Sequence, residues 1–281
     1  MPRADAFDLA AAAPALRQDV DGIWRPARQS PLDYPDEGNA FCFQVEDRSF
    51  WFRYRNERLV EAVRRFPPPG AIVDVGAGNG FVARGLTEAG FAAVVVEPGP
   101  VGARNAAARG LAPVVCSTLD DAGFRPGSLP AAGLFDVLEH LPDDRAVLAA
   151  LFGLIQPGGR LYLTVPAYRW LWSDDDELAG HHRRYTRRSL RMVVEGAGFV
   201  VEMESYLFAP LVLPIFLLRA LPTRLGRRRP EDVDTLRKEL QPQAGLAERA
   251  VGWLLGVEAW WFGHVGPVPF GSSCLVVATR P

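Results

Sequence analysis

A glycine-rich run is the strongest candidate for a binding site in this chain. The run is Val73-Asp74-Val75-Gly76-Ala77-Gly78-Asn79-Gly80, between an apolar segment and a helical pattern. Glycine has no Cβ, so the backbone there can turn tightly and approach a ligand. Glu97 ends the next apolar segment, 17 residues after Gly80. Ligands bind where the strands of an open α/β sheet end, and a carboxylate there can accept hydrogen bonds from two ribose hydroxyls. The pattern therefore predicts a nucleoside-containing ligand.

The spacing of the glycines separates two such ligands. A dinucleotide fingerprint has the spacing GxGxxG and places a pyrophosphate against a helix N-terminus. Here the spacing is GxGxG, and Asp74 stands two residues before the first glycine. A buried acid at that position opposes a pyrophosphate but suits a ligand with a cationic amino group. S-adenosylmethionine (SAM) has an amino acid tail, a ribose and a sulfonium. The sequence therefore favours SAM over NAD, and either cofactor over a purely structural turn.

Apolar segments alternate with helical patterns around this loop. The predicted strands are Ala71–Val75, Ala92–Glu97, Ala112–Cys116, Ala131–Asp136, Arg160–Val165, Phe199–Tyr206 and Ser272–Thr279. The predicted helices between them are Phe81–Ala89, Val101–Arg109, Asp143–Ile155 and Arg187–Gly196. Such alternation indicates an α/β fold with helices on both faces of a parallel sheet. We expect a Rossmann-like, doubly wound sheet of about seven strands.

An N-terminal extension, residues 1–69, precedes the alternating region. It contains a loop at Pro31–Asn39 and a helix at Trp51–Phe66, which a run of prolines ends. Aromatic residues crowd the start of this helix. Trp51 is a candidate substrate-binding residue in a lid over the cofactor, or part of a hydrophobic staple of the helix.

An apolar helical insertion, residues 207–270, follows the sixth strand. It includes a charged helix at Glu231–Leu240 and a Trp-rich helix at Leu246–Phe262. The sheet domain then comprises residues 70–206 and 271–281. Since the insertion is too apolar for a solvated surface, its helices must meet the domain, a partner subunit or a lipid.

Composition and charge narrow the class of protein. The chain has 281 residues, 48% of them hydrophobic, which is enough to bury a sizeable core. A net charge of −2 gives no electrostatic attraction to nucleic acid. Three distant cysteines without a CxxC pair indicate neither a disulfide framework nor a zinc knuckle. Asp5 and Asp8 stand where a signal peptide carries basic residues. We therefore expect a cytoplasmic protein without a nucleic-acid partner.

Three further motifs resemble those of the class I SAM-dependent methyltransferases. The fourth-strand motif of that family is similar to Phe135-Asp136-Val137-Leu138-Glu139-His140-Leu141. The helix–GG turn–strand segment before strand five resembles Ile155-Gln156-Pro157-Gly158-Gly159-Arg160-Leu161. Ser117-Thr118-Leu119-Asp120 follows strand three, where family members contact the adenine. The resemblance spans residues 71–206.

The flanks resemble a bacterial group of type 11-like methyltransferases, through Phe41–Asn56 and Gly180–Tyr185. Such proteins often accompany glycan or lipid biosynthesis. The resemblance implies methyl transfer from SAM to a small-molecule, glycan or lipid-linked acceptor, with S-adenosylhomocysteine as product. Together with the glycine run, it predicts cofactor contacts at Asp74, Gly76, Ala77, Gly78, Gly80, Glu97, Pro98, Thr118, Leu119, Asp136 and Val137.

Candidate catalytic and acceptor-binding residues follow the fourth and fifth strands. His140 could act as a general base for a hydroxyl acceptor, or cap the helix after it. His182 and Tyr185 are further catalytic candidates on the rim after strand five. Arg183 and Arg184 could clamp a phosphate or a carboxylate, or belong to a loop that is salt-bridged to the acidic run before it.

An acidic run, Trp172–Glu177, precedes His181 and His182. Carboxylates and imidazoles can bind a divalent metal, as in catechol-type methyltransferases. The spacing, however, fits no specific metal motif. The sequence therefore predicts a solvated acidic loop and no metal site.

Two other functions stay open from the sequence. One is an NAD-dependent oxidoreductase, and the other is a non-catalytic SAM-binding protein at a membrane surface. In the second case residues 207–229 would lie in the membrane interface, with arginines on anionic head groups. The alternative for that segment is a helical cap over the acceptor pocket or a dimer interface.

Overall fold

Nine strands form one mixed sheet in the described part of the chain. The computed structural model describes residues 7–30, 42–227 and 246–281. The strands are β1 (Arg17–Gln18), β2 (Trp24–Arg25), β3 (Ile72–Val75), β4 (Ala93–Val96), β5 (Val114–Val115), β6 (Leu129–Phe135), β7 (Ile155–Pro166), β8 (Val200–Leu207) and β9 (Ser273–Thr279). Their order is β1-β2-β5-β4-β3-β6-β7-β9-β8. The strands from β2 to β7 in this order pair in parallel, whereas β1 and β9 run antiparallel to their neighbours.

The predicted Rossmann-like α/β fold is confirmed, and the sheet differs from the prediction in two respects. β1 and β2 extend one edge, and each has two residues, too few for an alternating pattern. β9 runs antiparallel between β7 and β8, although the alternation predicted a parallel sheet. β7 and β8 are not neighbours, because the connection between them skips one position in the sheet. After the insertion the chain returns as β9, which occupies that position and runs antiparallel to both.

The helices cover both faces of the sheet. They are α1 (Leu9–Ala12), α2 (Phe50–Arg65), α3 (Phe81–Glu88), α4 (Pro100–Ala108), α5 (Leu119–Ala122), α6 (Asp144–Leu154), α7 (Asp174–Leu178), α8 (Arg187–Gly196), α9 (Val212–Ile215), α10 (Leu221–Arg224) and α11 (Leu246–His264), with a π-helix at Phe216–Ala220. Side-chain caps explain two of the starts: Asp143 accepts from Ala146 N at 2.9 Å, and Thr186 accepts from Ser189 N at 3.1 Å. The loop predicted at Pro31–Asn39 and the helix predicted at Glu231–Leu240 lie outside the described residues.

The core lies on both faces of the central strand β3, which is buried along its whole length. Successive side chains of a strand point to opposite faces, so Val73 and Ile72 pack into different clusters. The same division places Leu163 with Val73 and Tyr162 with Ile72. A strand buried on both faces carries a continuous apolar run, and Asp74 is therefore an exception that needs a reason.

The N-terminal segment and the insertion meet above the sheet. Tyr54 on α2 donates to Glu258 on α11 at 2.7 Å, and both side chains are buried. The same carboxylate accepts from the backbone amides of Phe208 and Ala209, at 2.7 and 2.6 Å. Glu258 thus ties the two added regions to the end of β8.

Candidate active site

The glycine loop after β3 has a backbone that other residues would strain. Gly76, Gly78 and Gly80 have φ values of 69°, 55° and 73°. A Cβ on Gly76 would lie 2.8 Å from the Val137 side chain, and one on Gly80 would lie 2.5 Å from the Leu111 side chain. Both backbone conformation and space therefore require glycine at Gly76 and Gly80, and the backbone of residues 76–78 stays partly exposed at the strand end.

Glu97 lies at the end of β4, beside this loop. Its carboxylate accepts from the backbone amides of Gly78 at 2.7 Å and Gly99 at 2.8 Å. Glu97 is buried. Two donors from different loops therefore hold the carboxylate in one orientation.

Asp74 is the exception within β3. The side chain is 1% exposed, and its Oδ2 has no hydrogen-bond partner among the described residues. Burial raises the pKa of Asp74 to about 7; the Arg55 guanidinium opposes this rise and the charge of Glu97 adds to it. A buried carboxyl oxygen without a partner is costly, so its place beneath the loop indicates a ligand with a hydrogen-bond donor.

Four neighbouring strand ends bring the predicted cofactor residues to one edge. β5, β4, β3 and β6 lie side by side in parallel, and Thr118, Glu97, Gly76 and Asp136 follow them in that order. Thr118 caps α5 by accepting from Asp121 N at 3.1 Å. The strand order reverses between β3 and β6, and a ligand crevice is expected at such a reversal.

The structure adds Arg55, a residue that sequence analysis did not select. Its guanidinium forms an ion pair with Asp136 and lies 4.7 Å from the Trp51 ring centre. The side chain is buried, and its Nε has no hydrogen-bond partner among the described residues. The only sequence signal was an arginine within an aromatic helix start, because its partner follows 81 positions later.

Three residues with positive φ mark the ends of β6, β7 and β8. Asp136, Tyr168 and Phe208 have φ values of 58°, 58° and 64°. Such conformations are unfavourable for residues other than glycine and gather at functional sites. The Phe208 ring stacks on Trp51 at 5.5 Å, and Trp51 in turn contacts Arg55. A row of packed side chains, in which Phe208 is fully buried, thus runs from the end of β8 to the ion pair at the end of β6.

His140 lies in a 3₁₀ turn, Leu138–His140, directly after β6. Burial and the neighbouring His181 lower the pKa of His140 to about 4. The imidazole is therefore neutral at pH 7 and binds a proton weakly. Its role as a general base stays a prediction, and this low basicity weakens it.

The rim after β7 is held by pairs within the protein. Arg184 binds the buried Asp176 through Nε and Nη2, at 2.7 and 2.9 Å. Arg183 pairs with Asp144 at 3.2 Å, and Tyr185 donates to the same carboxylate at 2.8 Å. Arg184 is therefore salt-bridged to the acidic run, which is one of the two alternatives that the sequence left open for it.

The other rim residues differ in how far they are exposed. Tyr185 is 4% exposed, which leaves its hydroxyl inside the protein. His182 is exposed, and its backbone amide donates to Glu139 O at 2.8 Å. The catalytic roles of His182 and Tyr185, and acceptor binding by Arg183 and Arg184, stay predictions.

A family model supplies the deciding comparison. A model described as a methyltransferase domain matches residues 51–204, more than half of the chain. The chain belongs to this methyltransferase family. The predicted membership in the class I SAM-dependent methyltransferases is thereby confirmed, and the match includes the glycine loop, Glu97, Asp136 and Arg55.

Curated relatives of this methyltransferase domain cover a shorter part of the chain. A ubiquinone biosynthesis O-methyltransferase from Xanthomonas campestris is 32% identical over 114 residues, which is 38% of this chain and 48% of the relative. The enzyme of the same name from Xanthomonas axonopodis is 31% identical over the same length. The chain thus spans about half the length of the curated relatives it matches.

Solved structures share the fold over most of the chain. A Haloferax volcanii protein, solved with a methyltransferase activator, has a TM-score of 0.55 at 18% identity and covers 88% of this chain and 95% of its own. Phosphoethanolamine N-methyltransferase 2 from Haemonchus contortus, solved with SAM, has a TM-score of 0.53 at 17% identity and covers 89% of this chain and 58% of its own. At this identity the likeness shows the fold alone.

Proposed function

We propose that this protein transfers a methyl group from SAM to an acceptor and releases S-adenosylhomocysteine. The observation that carries the proposal is the unpartnered, buried Asp74 oxygen beneath a loop that only glycine can form. A ligand with an ammonium group satisfies that oxygen, whereas a pyrophosphate would be repelled. The family match likewise favours a methyl donor over a nicotinamide cofactor.

The residues present fit each part of SAM. Glu97 accepts from the ribose hydroxyls, and Asp74 pairs with the ammonium group. Arg55 offers a planar donor set to the carboxylate of the amino acid tail, in exchange for part of its pairing with Asp136. Backbone around the glycine loop and the segments Pro98, Thr118–Leu119 and Asp136–Val137 complete the predicted contacts.

The protein acts chiefly by orientation. SAM supplies a methyl group on a sulfonium, which is already a good leaving system. The strand-end residues hold the donor in one place, and the half-buried Trp51, which stacks on the fully buried Phe208, positions the acceptor beside it. Fixing two reactants in line contributes a large part of a rate enhancement.

An apolar acceptor with a hydroxyl group fits the surroundings of the site. The Tyr168 ring stacks on Trp170 at 5.4 Å and on Tyr206 at 5.0 Å, directly after β7. Pockets lined by aromatic rings suit apolar, planar groups. The names of the O-methyltransferase relatives agree with a small, lipid-like molecule. Methylation of a glycan stays a prediction.

The insertion offers a surface on which such an acceptor can arrive. One face of α11 exposes five apolar side chains by 41% to 69%, namely Trp253, Leu254, Val257, Trp260 and Trp261. The opposite face buries Leu255, Glu258 and Phe262 against the protein. Tryptophans at the boundary of apolar and polar regions are typical of helices that lie in a membrane interface. We therefore extend the predicted membrane contact from residues 207–229 to this face of α11.

Across residues 7–30, 42–227 and 246–281, no helix combines the length and the apolar content that a membrane crossing requires.

Titration calorimetry of the full chain tests the proposed function. SAM and S-adenosylhomocysteine should bind with one site per chain, and NAD should give no heat. Transfer of labelled methyl from SAM into an organic-soluble fraction of a bacterial lipid extract tests catalysis. Folded protein that binds neither ligand would contradict the proposal. SAM binding without transfer to any fraction would support the non-catalytic alternative.

A further inference from the structure

Three side chains with metal-binding atoms converge beside the end of β6. Glu139, His140 and His181 each offer one ligand atom, and these atoms all lie within 4.8 Å of one another. The two imidazoles lie edge to face, with ring centres 4.7 Å apart. Glu139 and His140 belong to the turn after β6, whereas His181 comes from the loop after α7. Only the tertiary fold places the third residue beside the other two.

Glu139 carries an unsatisfied oxygen into this cluster. Its side chain is 1% exposed, and Oε2 has no hydrogen-bond partner among the described residues. A buried carboxyl oxygen without a partner is unfavourable, and a bound cation is one of the few ways to satisfy it. This oxygen is a second observation, independent of the clustering, that points to a ligand.

Neighbouring carboxylate and carbonyl groups hold the two imidazoles in place. His181 Nδ1 lies 2.8 Å from Asp176 Oδ1, and Asp176 is itself fixed by the two bonds from Arg184. His140 donates to the backbone carbonyl of Ala179. Carboxylates and carbonyls orient metal-bound histidines in this way. The arrangement also explains why Arg184 and Asp176 form a buried pair on the rim.

We propose that Glu139, His140 and His181 bind one divalent transition-metal ion. Two histidines with one carboxylate are a donor set that zinc accepts in four-coordinate sites with an open position. Ligand atoms of such a site lie about 3.4 Å apart for bonds of about 2.1 Å, so small side-chain rotations close the cluster. The sequence predicted no metal because it held no recognisable spacing, and the 41-residue separation of His140 and His181 explains the omission.

The open position gives the ion a role in methyl transfer, and this role rests on the proposed function. An acceptor hydroxyl bound there loses its proton to solvent more readily, because the cation stabilises the oxyanion. The O–C bond then forms as the S–C bond breaks, and S-adenosylhomocysteine leaves as a neutral thioether. On this route no side chain has to take the proton.

Zinc titration tests the site itself. Full-length protein, freed of metal by a chelator and carrying no histidine tag, is titrated with ZnCl₂ in a calorimeter. We expect one ion per chain, and an affinity at least about tenfold lower for both Glu139→Gln and His181→Asn. His182→Asn is the matched control, because it removes the neighbouring histidine, which lies outside the cluster, and should leave zinc affinity unchanged. Bound Co²⁺ should give visible absorption bands that disappear in Glu139→Gln.

Two outcomes would overturn the site. One is wild-type protein that takes up no zinc, and the other is a Glu139→Gln variant that binds zinc as the wild type does. Thermal unfolding without metal shows whether each variant is folded. SAM is titrated into the same samples, so SAM binding without zinc binding rejects the metal site and leaves the proposed methyl transfer standing.

Discussion

Glu97 is oriented by the protein before any ligand binds. Its two backbone donors come from the loops after β3 and β4, so the carboxylate depends on both loops being in place. A group fixed in this way loses little conformational entropy on binding. Glu97 should therefore contribute strongly to cofactor affinity.

The first prediction concerns this carboxylate. Glu97→Gln removes the charge and one acceptor oxygen, so the Kd for SAM should rise about 10- to 100-fold, or about 1.5–3 kcal/mol. Calorimetry at pH 7 measures the change. Glu88→Gln, an exposed change on α3, is the control. An unaltered Kd in folded Glu97→Gln protein would remove Glu97 from the site.

Asp74 links cofactor affinity to pH. Burial raises its pKa from 3.8 to about 7, so folding takes up a proton between these values. The free energy of unfolding of the unliganded protein should therefore fall as pH rises from about 4 to 7. An ammonium group favours the ionised carboxylate and offsets this effect in the complex.

The second prediction follows from that pKa. About half of Asp74 is ionised at pH 7 and about a tenth at pH 6. Because the ammonium group of SAM pairs with the ionised carboxylate, the Kd for SAM should rise about fivefold when the pH is lowered from 7 to 6. Asp74→Asn should remove the pH dependence. Methylthioadenosine, which lacks the amino acid tail, is the matched ligand and should bind equally at both values. Equal pH profiles for the wild-type protein and the Asp74→Asn variant would reject the pairing.

At the scale of elements, the contact of α2 with α11 decides where the Phe208 ring lies. Glu258 takes three hydrogen bonds from Tyr54, Phe208 and Ala209. Phe208 has positive φ, and the bond to its amide offsets part of that strain. These three hydrogen bonds to Glu258 therefore position Phe208 against Trp51.

The third prediction is a loss of stability when the hydrogen bonds to Glu258 are removed. Glu258→Ala leaves three donors, two of them in buried bonds, without an acceptor and should lower the free energy of unfolding by about 3–5 kcal/mol. Tyr54→Phe removes one bond and should cost about 1 kcal/mol. Urea denaturation measures both variants. A loss for Glu258→Ala no larger than for Tyr54→Phe would mean that the backbone bonds contribute nothing.

At the scale of the molecule, α11 carries an exposed apolar face opposite the face that buries Glu258. Leu213, Leu217 and Leu218 in the preceding helical segment are also exposed, as are Arg224 and Arg227 beyond them. Apolar side chains beside arginines suit an interface with anionic lipid.

The fourth prediction is binding to anionic vesicles. Full-length protein should sediment with phosphatidylglycerol–phosphatidylcholine vesicles, and less with phosphatidylcholine alone. Changing Trp253 and Trp260 together to serine should weaken the partition at least about tenfold, because each side chain loses its burial in lipid. Met192→Ser on α8, where the side chain is 64% exposed, is the matched control.

Sedimentation velocity without vesicles separates the remaining possibility. A second copy on the same face would give a dimer that the double tryptophan variant abolishes. A dimer of this kind without vesicle binding would reject the membrane surface.

The sequence by itself predicted the glycine loop, the carboxylate of Glu97 beside it, and most of the helices and strands. Glycine at Gly76, Gly78 and Gly80 and an acid at Glu97 are local requirements, so their spacing is visible in a single chain. Helix ends were predicted within one or two residues, because caps and prolines act over one turn. α8 has the predicted bounds, while β7 begins five residues before the predicted strand.

Only the tertiary structure decided which distant groups meet. Arg55 pairs with Asp136, Glu258 holds Phe208, and His181 joins Glu139, and each contact closes over 40 or more positions. No local propensity encodes such pairs, since they arise from the order of strands and the packing of helices on them. The antiparallel entry of β9 has the same origin. The sequence thus predicted where the donor would bind, and the fold alone brought the distant groups around that position together.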